Sequence, residues 1–204
     1  MASVTSRFRI DLTADFYDAQ GQLRYEDVGL GTLSSVDGIE IGRFREHRPE
    51  IAAEQLTGVQ GVVVLAPRVT AKSLEHAHDL LAIARFGVGY DSVDVPACTA
   101  ADVVLCIAAG AVDHSVAEAT VGWMLSLTHY MSMKDRIVRE GRWNDRDGYM
   151  GSELRDRTLG IIGFGGIGRA VVRLLSGFRM QKPLVFDPML TPAQIEAEGA
   201  RAAT

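Results

Sequence analysis

Short apolar runs and helical patterns alternate along the first half of the chain. Residues 7–12 alternate polar and apolar side chains, which is typical of a half-buried strand. Residues 61–66 are continuously apolar and rich in valine, as expected of a strand buried on both faces. The other predicted elements of this half are strands near residues 39–41, 80–86 and 103–107 and short helices near 49–56, 74 and 93–100. Such alternation predicts a mostly parallel, doubly wound α/β sheet.

Two segments depart from this alternation. Residues 13–37 are rich in Asp, Gly and Ser, which indicates an insertion or a long loop. Residues 116–131 are apolar on almost all sides, and Ser115 and Glu118 have the spacing of a capping box at the start of this run. We therefore expect one long helix that is buried on most sides, either inside a domain or between subunits.

A glycine motif lies in the second half of the chain, between an apolar run at 159–162 and a further helical pattern. Its residues are Gly163, Phe164, Gly165, Gly166, Ile167 and Gly168. In a G-x-G-x-x-G turn between a strand and a helix, the first glycine permits the tight turn. The second lets a pyrophosphate approach the backbone, and the third lets the helix pack on the strand. Because N–H groups at a helix start attract anions, these six residues are predicted to bind a dinucleotide.

Asp187 follows the next predicted strand, residues 184–186. At this position a carboxylate accepts hydrogen bonds from the ribose hydroxyls of NAD and repels the 2′-phosphate of NADP. Pro188 and Met189 supply no cation that would hold such a phosphate. The sequence therefore predicts NAD as the cofactor, and the alternative is a glycine-rich turn that binds no ligand.

Composition argues against several other classes of protein. The formal net charge of −5 gives no basic surface for nucleic acid, and the sequence has no run of about 18 apolar residues that would predict a membrane-spanning helix. Residues 1–7 lack the apolar core of a signal peptide. Cys98 and Cys106 have neither metal-site nor disulfide-framework spacing, which indicates buried small side chains in a cytosolic protein.

The histidines do not predict a catalytic or metal site. Asp113, His114 and Ser115 are consecutive, so they cannot form a nucleophile–base–orienter line, and we expect them at a helix start. His76 and His78 lie two residues apart on a predicted helix and face different directions, so no metal site is predicted there.

Several motifs, taken together and in order, resemble the D-isomer-specific 2-hydroxyacid dehydrogenase family, and in particular its phosphoglycerate dehydrogenase-like members. The matching motifs are residues 84–94, 115–118, 139–143, 154–169 and 186–188. The resemblance begins at about residue 60 and is weak before that point.

This resemblance implies an α/β chain with two doubly wound parallel-sheet domains. Residues 1–112 would form part of a flavodoxin-like substrate domain, and residues 113–204 would form the first half of a Rossmann NAD-binding domain. The resemblance also implies that Val88 and Gly89 offer backbone N–H groups to the substrate carboxylate, as a glycine-rich loop can do. The alternative is a turn in which Asp91 and Asp94 cap the next helix.

The resemblance further implies an NAD-dependent oxidoreductase, active as a cytoplasmic homodimer. It would transfer hydride between nicotinamide and C2 of a small D-2-hydroxy or 2-keto acid. The catalytic arginine, glutamate and histidine of the family are expected beyond residue 204, so no catalytic residue is assigned and this chain alone is expected to be inactive. The alternatives are a non-catalytic NAD-binding regulatory module, similar to the family's corepressors, and an inactive truncated fragment.

Overall fold

The structure is a computed structural model that describes residues 7–203. It divides between Ala109 and Gly110 into two compact units. Most of the segment for which the sequence predicts no signal-peptide core, residues 1–6, lies outside the described residues. Within residues 7–203, no helix is both long enough and apolar enough to cross a membrane.

The first unit is built on a five-stranded sheet in which every neighbouring pair is parallel. Its strands are β1 (Phe8–Leu12), β2 (Ile39–Arg43), β3 (Gly61–Val64), β4 (Ala82–Arg85) and β5 (Val104–Ile107). The order β2-β1-β3-β4-β5 means that the chain moves to one side of β1 and then returns to build outward on the other. Parallel neighbours require crossover connections, and this unit therefore has the parallel α/β architecture that the sequence predicts.

Short helices connect these strands. They are α1 (Leu30–Ser34), α2 (Ala71–Leu74) and α3 (Val95–Ala100), together with 3-10 turns at Ala14–Phe16 and Ala53–Leu56. The main core of the unit forms where the two central strands meet the helices, and Val62, Val64 and Ile83 are fully buried in it. The predicted loop over 13–37 thus contains a 3-10 turn and α1 but no strand among its described residues.

Two predictions for this unit are wrong. The helix expected over 49–56 forms only as the last 3-10 turn, because Pro49 and Ile51 instead pair with Arg68 through two backbone hydrogen bonds of 2.9 Å. Cys98 is buried as expected, but Cys106 is exposed, since it lies on β5 at the open edge of the sheet.

The second unit contains a three-stranded parallel sheet in the order β6-β7-β8. The strands are β6 (Gly160–Ile162), β7 (Leu184–Phe186) and β8 (Arg201–Ala202). The helices are α4 (Asp113–Thr128), α5 (Met131–Arg139), α6 (Gly166–Leu174) and α7 (Pro192–Ala197), with 3-10 segments at Trp143–Tyr149 and Leu175–Phe178. The sequence predicted β6, β7 and α7 but not β8, which is only two residues long.

The single long helix expected over residues 116–131 is wrong in two respects, its start and its end. Helix α4 begins at Asp113, so Ser115 lies inside the helix and does not cap it. The helix ends at Thr128, whose carbonyl accepts a hydrogen bond from the Ser152 N–H at 2.9 Å, and Tyr130 then adopts a left-handed conformation before α5. Within the single chain, Trp123 and Leu127 of α4 are 68% and 71% exposed, so α4 is not buried inside its own unit, and burial between subunits stays a prediction.

Candidate dinucleotide-binding site

The turn between β6 and α6 has the backbone geometry that a dinucleotide turn needs. Gly163 follows β6 with φ of +85°, a conformation that side chains other than glycine rarely adopt. Its N–H donates to the Phe186 carbonyl at 2.8 Å, which fastens the turn to the end of β7. The turn therefore lies at the carboxyl edge of the sheet, where parallel α/β sheets place their ligands.

Gly165 and Gly168 lack a side chain for different reasons. A Cβ at Gly168 would lie 2.7 Å from the Gly163 carbonyl oxygen, so only glycine lets α6 pack this closely on the turn. Gly165 is the N-cap of α6, and apart from Gly165 and its immediate chain neighbours no atom of residues 7–203 lies within 4 Å of the position that its Cβ would take. The backbone at Gly165 is therefore open to a ligand.

The first turn of α6 offers N–H groups that have no partner within the helix. The amides of Gly166, Ile167 and Gly168 precede the first intrahelical hydrogen bond, which Arg169 donates to Gly165 at 3.1 Å. These amides lie at the positive end of the helix dipole. The Phe164 N–H differs from them because it is already donated to Asp187. Phe164 is thus part of the turn, but its amide does not face a ligand.

Asp187 stands directly after β7 and closes the turn from the opposite side. Its Oδ2 accepts from the Phe164 N–H at 2.7 Å, and its Oδ1 accepts from the Met189 N–H at 2.8 Å. These two hydrogen bonds, the first being the stronger influence, and the nearby Arg169 charge lower the pKa of Asp187 below its ordinary value. An ionised carboxylate has about four acceptor positions, so two remain for ribose hydroxyls.

Arg169 is a site residue that the sequence analysis missed. Its guanidinium lies over the Phe164 ring at 5.6 Å, and its Nη1 is 3.6 Å from a Glu198 carboxylate oxygen. Pro188 and Met189 supply no cation, as the sequence shows. The first turn of α6, however, brings the Arg169 guanidinium close enough to lower the pKa of Asp187. Its position immediately after Gly168 was the available sequence clue.

Asp113 is a second missed residue. Its carboxylate lies against Gly166, so closely that any Cβ at Gly166 would overlap it. Sequence analysis placed Asp113 at a helix start, where α4 does begin, but could not show which glycine it faces.

In the first unit, Val88 and Gly89 lie in the loop between β4 and α3. Neither amide donates a hydrogen bond within the described part of the chain, whereas the neighbouring Phe86 and Gly87 amides donate to Val64 and Arg85 at 2.8 Å. The alternative interpretation of this loop, a turn in which Asp91 and Asp94 cap the next helix, is correct for one of the two residues. Asp94 caps α3 by accepting from the Ala97 N–H at 3.0 Å, but no capping bond from Asp91 is found among residues 7–203.

Arg85 lies beside this loop and was also missed. Its guanidinium packs against Gly87, where a Cβ would come within 2.9 Å of Nη1. Its Nε is buried and has no hydrogen-bond partner among the described residues. A buried donor without a partner is unusual, and a bound anion is one way to satisfy it.

The predicted helix start at Asp113, His114 and Ser115 is confirmed. The helix predicted to carry His76 and His78 is wrong, since α2 ends at Leu74. Asp113, His114 and Ser115 all lie in the first turn of α4, and His114 pairs with Glu118 at 3.1 Å on the exposed surface. The His76 and His78 rings have centroids 6.3 Å apart. Within residues 7–203, no group of three potential metal ligands is found.

Comparison with known proteins identifies the family. The family model for "D-isomer specific 2-hydroxyacid dehydrogenase, catalytic domain" matches residues 22–203. The chain belongs to this dehydrogenase family. The match includes much of the segment before residue 60, where the sequence motifs had shown only a weak resemblance.

One curated relative of this family is D-3-phosphoglycerate dehydrogenase of Rattus norvegicus, which is 35% identical over 156 residues. The alignment covers 76% of this chain but only 29% of the rat protein. The chain therefore spans less than a third of that relative's length.

Solved dehydrogenase structures share the fold. A glyoxylate reductase from Paecilomyes thermophila has a TM-score of 0.77 at 22% identity, with 97% of this chain and 60% of that chain covered. D-lactate dehydrogenase from Aquifex aeolicus, complexed with NAD and lactic acid, has a TM-score of 0.76 at 21% identity, with 96% and 56% covered. At these identities the two structures establish the α/β fold and nothing further.

Proposed function

We propose that this chain forms the substrate-binding part and the first half of the NAD-binding part of an oxidoreductase. The enzyme transfers hydride between nicotinamide and C2 of a small D-2-hydroxy or 2-keto acid. The observation that carries this proposal is the β6–glycine turn–α6 unit closed by Asp187, in a chain of the 2-hydroxyacid dehydrogenase family.

The residues of the second unit fit a dinucleotide. The amides of Gly166, Ile167 and Gly168 would hold the pyrophosphate, for which the open backbone at Gly165 gives access. The Asp187 carboxylate would accept from the adenosine ribose hydroxyls. When bound, the nicotinamide supplies or accepts the hydride. The role of the chain is to bind and orient the cofactor.

The residues of the first unit fit a carboxylate. The Val88 and Gly89 amides are unpaired within residues 7–203, and the Arg85 guanidinium, which lies against Gly87 of the same loop, has an unsatisfied Nε. Two backbone donors and a partly buried cation can together bind the carboxylate that every 2-hydroxy acid carries. This assigns orientation of the substrate, rather than proton transfer, to the residues of this chain.

In this proposal, residues 1–112 form the substrate-binding domain and residues 113–204 form the NAD-binding domain. The two compact units divide three residues earlier, between Ala109 and Gly110, which supports a boundary in this region. The exposed Trp123 and Leu127 on α4 give an apolar face that supports a homodimer as the assembled form.

Titration of the chain with NADH and NADPH, followed by NADH fluorescence and by calorimetry, tests the cofactor proposal. We expect saturable NADH binding and weaker NADPH binding. A parallel titration with oxamate, an unreactive isostere of a 2-keto acid, tests the substrate loop. A folded chain that binds neither dinucleotide would refute the proposed function.

A further inference from the structure

The Asp113 carboxylate lies beside the first residue of α6, next to the proposed cofactor site. It is in contact with Gly166, the first residue of α6, and a Cβ at Gly166 would come within 2.6 Å of the carboxylate carbon. Only the absence of a side chain at Gly166 permits this approach. The inference drawn from this contact rests on the proposed function of the glycine turn.

Helix packing holds Asp113 in place. Ala117, one turn further along α4, is completely buried and packs with Ala170 and Val171 of α6. Residues four apart lie on the same face of a helix, so the packing that buries Ala117 also directs Asp113 toward the start of α6. The position of the carboxylate is therefore a consequence of how the two helices meet.

The contact explains a glycine that the dinucleotide motif does not require. The three glycines of G-x-G-x-x-G are Gly163, Gly165 and Gly168, each with its own steric reason. Gly166 stands at a variable position of the motif. Its missing side chain is accounted for by the space that Asp113 occupies.

The charge of Asp113 has no local counterpart. Its side chain makes no hydrogen bond or ion pair within residues 7–203, so the nearest favourable interaction is with the positive end of α6. A pyrophosphate at the same helix end would bring further negative charge close to this carboxylate. Like charges at such distances repel appreciably even near the protein surface.

We propose that Asp113 is a resident anion at the start of α6, which competes electrostatically with the cofactor pyrophosphate and lowers dinucleotide affinity. In the ligand-free chain the carboxylate stabilises the start of α6. When a cofactor binds, the carboxylate repels its pyrophosphate. Asp113 thus sets how tightly the cofactor is held, without contacting the reacting atoms.

The test compares Asp113→Asn with wild type and with a matched control, Glu118→Gln. The control removes the same charge from the same helix at an exposed position that pairs with His114. Dissociation constants are measured for NADH and, separately, for inorganic pyrophosphate, at low and at high salt. Asp113→Asn should bind both ligands roughly three- to tenfold more tightly, and the gain should shrink at high salt because the repulsion is screened.

The outcomes separate the inference from the proposed function. The inference would be overturned if Asp113→Asn bound the ligands no more tightly than wild type, or if Glu118→Gln gained as much affinity as Asp113→Asn. In either case, NADH binding by wild type would still uphold the proposed function. Tighter pyrophosphate binding without any NADH binding would uphold the inference and refute the function. If no variant bound either ligand, both would fail. Asp113→Ser, which also removes the charge, replaces Asp113→Asn if circular dichroism shows that the latter does not fold.

Discussion

The Phe164 N–H donates to Asp187 Oδ2 at 2.7 Å, across 23 residues of sequence. This hydrogen bond joins the glycine turn to the end of β7, so one carboxylate both shapes the turn and presents acceptors to a ribose. Asp187 is therefore a structural residue and a proposed binding residue at once, and variants must separate the two roles.

Asp187→Ala should weaken NADH binding about ten- to a hundredfold, since hydrogen bonds to a charged acceptor contribute about 1.5–3 kcal/mol. NADPH binding should fall less, because the substitution also removes the charge that repels the 2′-phosphate, while Arg169 remains nearby. Dissociation constants for both dinucleotides check this. Asp187→Asn keeps an oxygen that can accept from the Phe164 N–H, so its NADH affinity should lie between those of wild type and Asp187→Ala. Asp147→Ala, at an exposed position, serves as the control. Equal losses for NADH and NADPH would contradict the assigned role.

Asp187 should also make stability depend on pH. The Phe164 and Met189 amides, with the Arg169 charge, lower its pKa in the folded state. A depressed pKa means that the folded chain binds the proton less readily than the unfolded chain. Its stabilising contribution is then complete above the unfolded value of about 3.9 and is lost as pH falls through the folded value.

Thermal unfolding of wild type and Asp187→Asn between neutral and strongly acidic pH measures this contribution. The gap in Tm between the two proteins should be constant near neutrality and should narrow once the pH falls below that of an ordinary aspartate. A gap that widens toward acid would mean that the carboxylate is not ionised in the folded state.

Gly168→Ala should destabilise the second unit and abolish tight NADH binding. The new Cβ would lie 2.7 Å from the Gly163 carbonyl oxygen, and backbone cannot move aside as a flexible side chain can. Overpacking of this kind costs about 1–3 kcal/mol, measured by chemical denaturation. Gly177→Ala is the matched control, because no atom of the described residues lies within 4 Å of its Cβ position. If the two variants unfolded alike, the close contact of α6 with the turn would be disproved.

Arg85→Met should lower substrate affinity in the first unit without lowering its thermal stability. The buried Nε of Arg85 has no partner within residues 7–203, and only Nη1 donates, to the Phe86 carbonyl, so the gain and the loss offset each other and Tm should change little. Oxamate affinity should fall about tenfold or more, because a charge-assisted contact to the carboxylate is lost. Arg45→Met, at an exposed position in the same unit, should change neither quantity. Unchanged oxamate binding in Arg85→Met would remove Arg85 from the proposed substrate loop.

The sequence predicted those parts of the site whose chemistry is local. The strand, the glycine turn, the helix and Asp187 follow one another within a short stretch, and each has a recognisable composition. Asp113 and Arg169 could not be assigned in this way, because their importance arises from the packing of α4 on α6 and from the direction of one side chain. No periodicity in a single helix contains that information.

The same limit explains the errors in the fold. The apolar run over 116–131 gave no indication of a break, yet the Thr128 carbonyl accepts a hydrogen bond from the Ser152 N–H and Tyr130 adopts a left-handed conformation. Strand β8 is too short to show an alternating pattern. It exists because backbone hydrogen bonds from Arg201 to Pro183 and from Ala203 to Val185, of 2.8 and 2.7 Å, add it to β7.

The contact between Asp113 and Gly166 can be measured without any ligand. Gly166→Ala alone should displace the Asp113 carboxylate, which as the end of a flexible side chain can swing aside, so the cost is the lost interaction with the positive end of α6, about 0.3–1 kcal/mol. In an Asp113→Ala background the overlap is gone, and Gly166→Ala should become neutral or stabilising, since alanine exceeds glycine in helix propensity by about 1 kcal/mol. Urea unfolding of the four proteins gives the coupling energy, which we expect to be about 0.5–1 kcal/mol. Additive effects within about 0.3–0.5 kcal/mol, the range of independent sites, would show that the two residues do not touch in solution, and the electrostatic role of Asp113 would lose its structural basis.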